Sequence, residues 1–502
     1  MARREPAAVP SYFLTRILDA LDTGGDRAAF VYRGQRMTYA VAAGLLRRLH
    51  DGLAAQQVGA GETVAIIGGN RPETVLVQLA AQLRGATVLL VGASASLPDQ
   101  VAAISASGAN TVVVDPEREP GLLRPPHRVL TLGPATAPGA VDLLCEWPTA
   151  AARLPGAVAA IFTSGGTTGT PKLIRHSGIY DGMAHIFRPG PDSPERALLV
   201  APVSHMTGNA AVLGALLRGD VVILHEGFDA KAVLHAIEAE RITTLSLTPP
   251  RLAQLLDHPA IAATDLSSMR ALSVGASPLP AYRLRQALEV FGPVVGQGYG
   301  LTEAPMVAHL PPAELVDQPH RLGSVGRIVP GMEARIDGAD GPGDSGEVLV
   351  RGLALMDGYL GRPDPLDAGW LRTGDAGTFD SDGYLYLQGR LDDVIVTGEN
   401  GSLVHPAVVE DALTGHPLVR QAAVFGMPGP GGEGELVHAV VVPTDPAAGT
   451  PETTEALREH VRATLAKEHL VPASVEYTRA LPLTPIGKLD RHALRARHGR
   501  VS

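Results

Sequence analysis

Residues 160–176 read AIFTSGGTTGTPKLIRH: a short apolar run, then hydroxyls and glycines, then a lysine. Glycines in such a run let backbone N–H groups converge on an anion, hydroxyls add donors, and an ammonium adds a mobile positive charge. The chemistry that suits Thr163, Ser164, Gly165, Gly166, Thr167, Thr168, Gly169 and Lys172 is therefore the binding of phosphate oxygens. The segment is not a P-loop of the form G-x-x-x-x-G-K-[ST], because Lys172 follows Pro171 and precedes Leu173. A flexible surface loop is the plain alternative for this segment taken alone.

A second dense stretch, GQGYGLTEAP, covers residues 296–305. Gly298 and Gly300 around Tyr299 admit a flat ring, Thr302 can bond a phosphate, and Glu303 can hold a hard cation such as Mg²⁺ through oxygen. A tight turn with a helix cap is the alternative. In GWLRTGDAG, Asp375 lies between glycines at the end of a short strand, where a carboxylate can accept from both hydroxyls of a ribose. A turn aspartate would look the same. GRLDDVIVTGENG sets Arg390 beside the acidic pair Asp392 and Asp393, and LPLTPIGKLDRHAL sets Lys488 after Thr484, Pro485 and Gly487. The only lysines are Lys172, Lys231, Lys467 and Lys488, although Lys and Arg together number 42. Where arginine is so favoured, a retained lysine points to a need for a compact ammonium.

Taken in chain order, TSGGTTGTPK, GYGLTE, WLRTGD, GRLDD and PLTPIGK resemble the signature set of the acyl-adenylate-forming superfamily. That group contains acyl- and aryl-CoA synthetases, adenylation domains of peptide synthetases and firefly-type luciferases. The resemblance runs from about Thr38 to Arg491 and looks closest to a stand-alone acyl-CoA synthetase. It implies that a substrate carboxylate attacks the α-phosphate of MgATP, pyrophosphate departs in line, and the acyl-adenylate passes to coenzyme A as a thioester. It further implies that the loop from Thr163 to Lys172 grips the β and γ phosphates, and that Lys488 bridges the carboxylate and the α-phosphate. By the same resemblance Glu303 holds Mg²⁺, Thr302 meets the α-phosphate, Asp375 takes the ribose hydroxyls and Arg390 assists there. Tyr299 flanks the adenine, with Gly275, Ala276 and Ser277 along its other face, and Asp392 matches the hinge about which a small C-terminal domain swings.

These residues need elements to position them. From Thr63 onward the chain alternates in a βα rhythm: TVAIIG, ATVLLVG and NTVVVD read as buried strands, with helical PETVLVQLAAQLRG and LPDQVAAISASG between them. After a Pro-rich stretch the rhythm resumes with AVAAIF, RALLVAP, DVVILHE, ITTLSLTP and ALSVGA. Strands alternating with helices predict parallel sheets covered on both faces. Beyond about Gly323 short glycine-punctuated strands predict an antiparallel region, and the last hundred or so residues read as α+β. The expected class is α/β: a large N-terminal domain over 1–389, built from two βα subdomains with mostly parallel sheets plus a small β region, and a small mobile α+β domain over 390–502. By the resemblance the first carries the ATP and acyl sites and the second the catalytic lysine.

Composition bounds the partners. The chain has 502 residues, a net charge of −10 and no basic cluster with interleaved aromatics, so nucleic acid is not expected. No apolar run is long enough to span a bilayer. The start, MARREPAAVPSYFLTR, has an arginine pair but no apolar core after it, so a cytoplasmic protein is expected. The lone Cys145 excludes an internal disulfide and a cysteine-rich metal site. By resemblance, APVSHMTGNAAVLGALLRGD is the acyl-pocket segment; His205, Met206, Gly208 and Asn209, with Ser273 and Gly298, are its expected lining. Amino-acid-activating members carry an aspartate here, and none lies between Ala201 and Arg218. The expected substrate is thus a hydrophobic or aromatic carboxylic acid. The acceptor is CoA or, alternatively, the phosphopantetheine of an acyl carrier protein; an inactive nucleotide-binding protein is the remote alternative.

Overall fold

The computed structural model describes residues 9–116, 127–134, 138–151, 153–163, 172–190, 193–316, 318–397, 402–429, 434–484 and 487–498. Two large sheets carry the first three quarters of the chain. One has eight strands, ordered Gly358–Tyr359, Leu173–His176, Ala160–Thr163, Thr87–Gly92, Thr63–Gly68, Thr111–Val114, Arg128–Thr131, Val141–Asp142. From Ala160–Thr163 onward its neighbours are parallel, and the apolar runs of Thr63–Gly68, Thr87–Gly92 and Thr111–Val114 are buried nearly throughout. The other has nine strands, with Val295–Leu301, Ala271–Gly275, Thr244–Leu247, Arg196–Leu199, Val221–Leu224 and Ala28–Tyr32 parallel in that order.

Helices Tyr12–Gly24, Tyr39–Ala55, Pro72–Leu83 and Met206–Arg218 are packed in one apolar core with side chains from both sheets, including Val64, Val88 and Phe162 from one and Phe30, Val222 and Leu224 from the other. This explains why Pro72–Leu83 is apolar nearly all round rather than striped: every residue in it except Glu73 is buried. The antiparallel region follows as Met332–Ile336, Gly346–Gly352, Trp370–Phe379, Leu366–Asp367 and Leu385–Arg390. The C-terminal part builds its own sheet from Ile395–Thr397, Ser402–Val404, Val419–Pro428, Glu435–Pro443 and Ser474–Tyr477, over a separate core with helices Pro406–Thr414 and Pro451–Leu465.

The α/β class expected from the sequence is the one observed. Two local readings change. Asp375 does not end a short strand but lies inside the ten-residue strand Trp370–Phe379, beside a bulge at Ala376/Gly377. The segment GQGYGLTEAP is not a turn capping a helix; it is a β-hairpin, with Leu301 opposite Ala304 and Thr302–Glu303 as the turn between them.

Candidate active site

The described site residues gather where the parallel strands of the two sheets end, the usual place for a ligand crevice in α/β folds. From the eight-stranded sheet, Thr163 and Lys172 flank residues 164–171 at one end of an antiparallel pair, Thr163 standing opposite Leu173. Ser164, Gly165, Gly166, Thr167, Thr168 and Gly169 lie outside the described residues. Lys172 Nζ sits over the ring of Tyr359, 4.9 Å from its centroid, and the Tyr359 hydroxyl donates to Glu303 Oε1 at 2.9 Å. One phenol thus joins the two charged positions. Burial first, and then the Glu303 charge and hydrogen bond, push the Tyr359 phenol upward, so it stays a donor.

The hairpin turn itself is fixed from outside. The Thr302 carbonyl accepts from His176 Nε2 at 2.7 Å, and the Glu303 carbonyl accepts from Met356 N–H at 2.8 Å. His176 is fully buried, and burial lowers its pKa, so it holds the turn as a neutral ring.

Beside the hairpin, Ser273 stands opposite Gly296 and Gly275 opposite Gly298, so small residues floor one face of the sheet. Ala276 follows at φ 70, a left-handed conformation that costs a residue with a Cβ on the order of 1 kcal/mol or more. Ser277 Oγ is buried without a hydrogen-bond partner among the described residues. A strained turn ending on an unspent hydroxyl suits a ligand edge.

Tyr299 donates its hydroxyl to Asp375 Oδ2 at 2.7 Å, and Arg390 Nη1 donates to Asp375 Oδ1 at 3.2 Å and to the Thr373 carbonyl at 2.6 Å. Asp375 and Arg390 are cross-strand partners, so the sheet register makes this pair. Burial raises the pKa of Asp375, while Tyr299 and then Arg390 oppose the rise. Asp392, in the 3-10 turn Leu391–Asp393, is 83% exposed, whereas its neighbour Asp393 bonds Arg491 and Arg495 of the C-terminal part.

Lys488 enters from the C-terminal part on a tight loop: its N–H donates to Thr484 Oγ1 at 3.1 Å and its carbonyl accepts from Thr484 N–H at 2.8 Å. The loop docks on the nine-stranded sheet, where Thr248 Oγ1 donates to the Gly487 carbonyl at 2.8 Å. Gly487 has φ +78, and a Cβ there would fall 2.5 Å from Arg251 Nε, so conformation and space both require glycine. Burial lowers the Lys488 pKa, while the carboxylates of Asp375 and Glu303 hold it up. His205 is pushed down to about 4, by burial foremost and then by the Lys488 and Arg251 charges, so it faces the site as a neutral ring.

The expected acyl residues divide. His205 and Met206 open the helix Met206–Arg218 near Lys488. Asn209 is instead committed to packing: its amide exchanges hydrogen bonds with Gln78 at 2.7 and 3.2 Å and donates to the Val203 carbonyl. Gly208 is likewise a packing position, since a Cβ there would fall 2.1 Å from the Pro202 carbonyl oxygen. Sequence reasoning missed Tyr359, Thr248, Arg251 and His176. For Tyr359 the only local signal is a glycine–tyrosine pair in a turn-rich stretch.

A family model described as AMP-binding enzyme matches residues 19–360, and one described as AMP-binding enzyme C-terminal domain matches residues 408–488. The chain belongs to the AMP-binding enzyme family. It is 35% identical to a feruloyl-CoA synthase of an Amycolatopsis species, over 93% of this chain and 95% of that protein. Among solved structures it resembles the amide bond synthetase McbA from Marinactinospora thermotolerans, at 35% identity and a TM-score of 0.86, covering 97% of this chain and 100% of that one. It also resembles o-succinylbenzoate CoA synthetase from Bacillus subtilis in complex with the acyl-adenylate intermediate OSB-AMP, at 26% identity and a TM-score of 0.82, covering 99% of this chain and 100% of that one. No helix among the described residues is long and apolar enough to cross a membrane.

Proposed function

We propose that this AMP-binding enzyme activates a hydrophobic or aromatic carboxylic acid with ATP, releasing pyrophosphate, and then transfers the acyl group from acyl-AMP to CoA. The observation that carries this reading is Lys488, on a loop held through the Gly487 carbonyl on Thr248, with the Asp375 and Glu303 charges acting on its ammonium and the neutral His205 feeling its charge in turn. An ammonium so placed meets both the incoming carboxylate and the α-phosphate, where negative charge gathers as the P–O bond forms. Preorganised charge of this kind, with positioning, is the protein's main contribution to phosphoryl chemistry. Asp375 would accept from the ribose hydroxyls, Arg390 fixing its orientation, while Thr302 would donate to the α-phosphate. Lys172 and the segment after Thr163 would hold the leaving pyrophosphate. His205, Met206 and the Ser273–Gly298 floor would border the acyl group, and neutrality at His205 suits an apolar acid. We place the change from large to small domain at residues 389/390, with Asp392 as the hinge.

Among the described residues no three His, Cys, Asp or Glu side chains gather as a metal cage. Glu303, with one oxygen on Tyr359, presents a single carboxylate, which fits Mg²⁺ arriving on phosphates rather than in a protein cage. Bound there, Mg²⁺ would neutralise phosphate charge. Glu303→Gln keeps an acceptor for Tyr359 and removes the charge. The Mg²⁺ concentration for half-maximal pyrophosphate exchange is expected to rise by about tenfold; an unchanged Mg²⁺ dependence would remove Glu303 from this role.

A second reading is favoured by the likeness to an amide bond synthetase: the acyl-adenylate is captured by an amine. Mass spectrometry of products from MgATP, pooled carboxylic acids and either CoA or pooled amines separates the readings. Acyl-CoA supports the first, amide alone the second, and acyl-adenylate without either product points to a carrier-protein thiol. ATP left intact with every acid would refute adenylation.

A further inference from the structure

We propose that the first turn of the helix Ala281–Phe291 is a clamp that holds the C-terminal part, and with it Lys488, over the ATP site; this rests on the adenylation reading above. The helix starts after Pro280, whose side chain caps nothing. Its first N–H, on Ala281, donates instead to Asp411 Oδ1 at 3.0 Å, so a carboxylate from the C-terminal part caps it from across the crevice. The next two residues converge on one acceptor: the Tyr282 hydroxyl and Arg283 Nη2 each donate to the Arg420 carbonyl oxygen at 2.9 Å.

The donor side is built before docking. Arg283 is 6% exposed and its guanidinium is held by Asp257 through both carboxylate oxygens, at 2.6 and 2.9 Å, and by Gln286 at 2.8 Å. The C-terminal part contributes a surface carboxylate, a backbone carbonyl and the Arg420 guanidinium, whose Nε lies 3.9 Å from Asp257 Oδ2. Beside these bonds lies an open cavity of about 510 Å³, lined by Arg285, Glu289, His416 and Thr444 among others. Directional bonds next to a cavity can be made and broken without exposing either core, as a contact between moving units requires. The clamp and the Thr248–Gly487 bond fix the C-terminal part at two separate places, so Lys488 is positioned by residues that never touch substrate. Tyr282, Arg283 and Asp411 are positioning residues.

Tyr282→Phe and Asp411→Ala each remove one clamp bond without stranding a buried charge, whereas replacing Arg283 would take from Asp257 the partner that bonds both its oxygens. In the double variant, pyrophosphate exchange is expected to fall about tenfold in kcat with the KM for ATP unchanged. Thioester formation from supplied acyl-adenylate is expected to hold or rise. A distance between spin labels on V290C and E455C in a C145S background, both positions being exposed, is expected to broaden in the double variant. A fall in both half-reactions together, or an unchanged distance distribution, would overturn the clamp. If the wild type exchanges no pyrophosphate with any acid while the distances broaden, the clamp stands and the adenylation reading fails.

Discussion

Lys488→Ala is expected to reduce pyrophosphate exchange by a factor on the order of 10³ while leaving thioester formation from supplied acyl-adenylate intact. The site survives the loss, because the carboxylates that face Lys488 have other partners: Asp375 is bonded by Tyr299 and Arg390, and Glu303 by Tyr359. The loop keeps its Thr484 and Thr248 hydrogen bonds, which use backbone groups. Melting temperature should therefore barely move. The wild type should also show an alkaline limb in kcat/KM for exchange, since burial lowers the Lys488 pKa and the ammonium is lost as pH rises through that lowered value. The limb belongs below the pH where an exposed lysine titrates, and Lys488→Arg, which keeps its charge, should lack it. Normal exchange by the alanine variant would remove Lys488 from the chemistry.

A candidate residue whose neighbours in sequence share its chemistry is legible in the sequence, and a contact between distant positions is not. Gly298, Tyr299, Gly300, Thr302 and Glu303 sit within one short stretch, so composition alone marks it. Asp375 stands out in the sequence as a carboxylate among glycines but not as part of a long strand, because the glycines around it serve a bulge and a register with Arg390 that local pattern does not encode. Tyr359 bonds a residue 56 positions away, and Ala281 bonds one 130 positions away. Neither separation leaves a periodic trace. The strand Ala28–Tyr32 pairs in parallel with Val221–Leu224, a partner that no local signal names. Gly208 and Asn209 show the opposite ambiguity: small and polar residues in a helix suit a pocket wall or close helix packing equally well, and the contacts seen here, to Pro202 and Gln78, are packing contacts. The βα rhythm was readable because buried parallel strands must be apolar throughout.

For Asp375→Asn, kcat/KM for ATP is expected to fall on the order of 10², since two hydrogen bonds to a charged acceptor become one neutral bond. Asparagine is the informative replacement. Its carbonyl still accepts from Tyr299, and Arg390 keeps the Thr373 carbonyl, so no buried donor in the wall of the site is left without a partner. Alanine would strand the Tyr299 hydroxyl and leave Arg390 with the Thr373 carbonyl and the more distant Asp392, mixing lost binding with lost structure. The nucleotide supplies the second arm of the test. With 2′-deoxy-ATP the wild type loses one ribose bond, at a cost of about tenfold, whereas the variant, already without a charged acceptor, should lose less. Non-additive penalties, with the pair costing less than the product of the two, would tie Asp375 to the ribose by energy rather than by proximity. Penalties that simply multiply would mean that Asp375 serves the sheet register with Arg390, and that the ribose is held by another group.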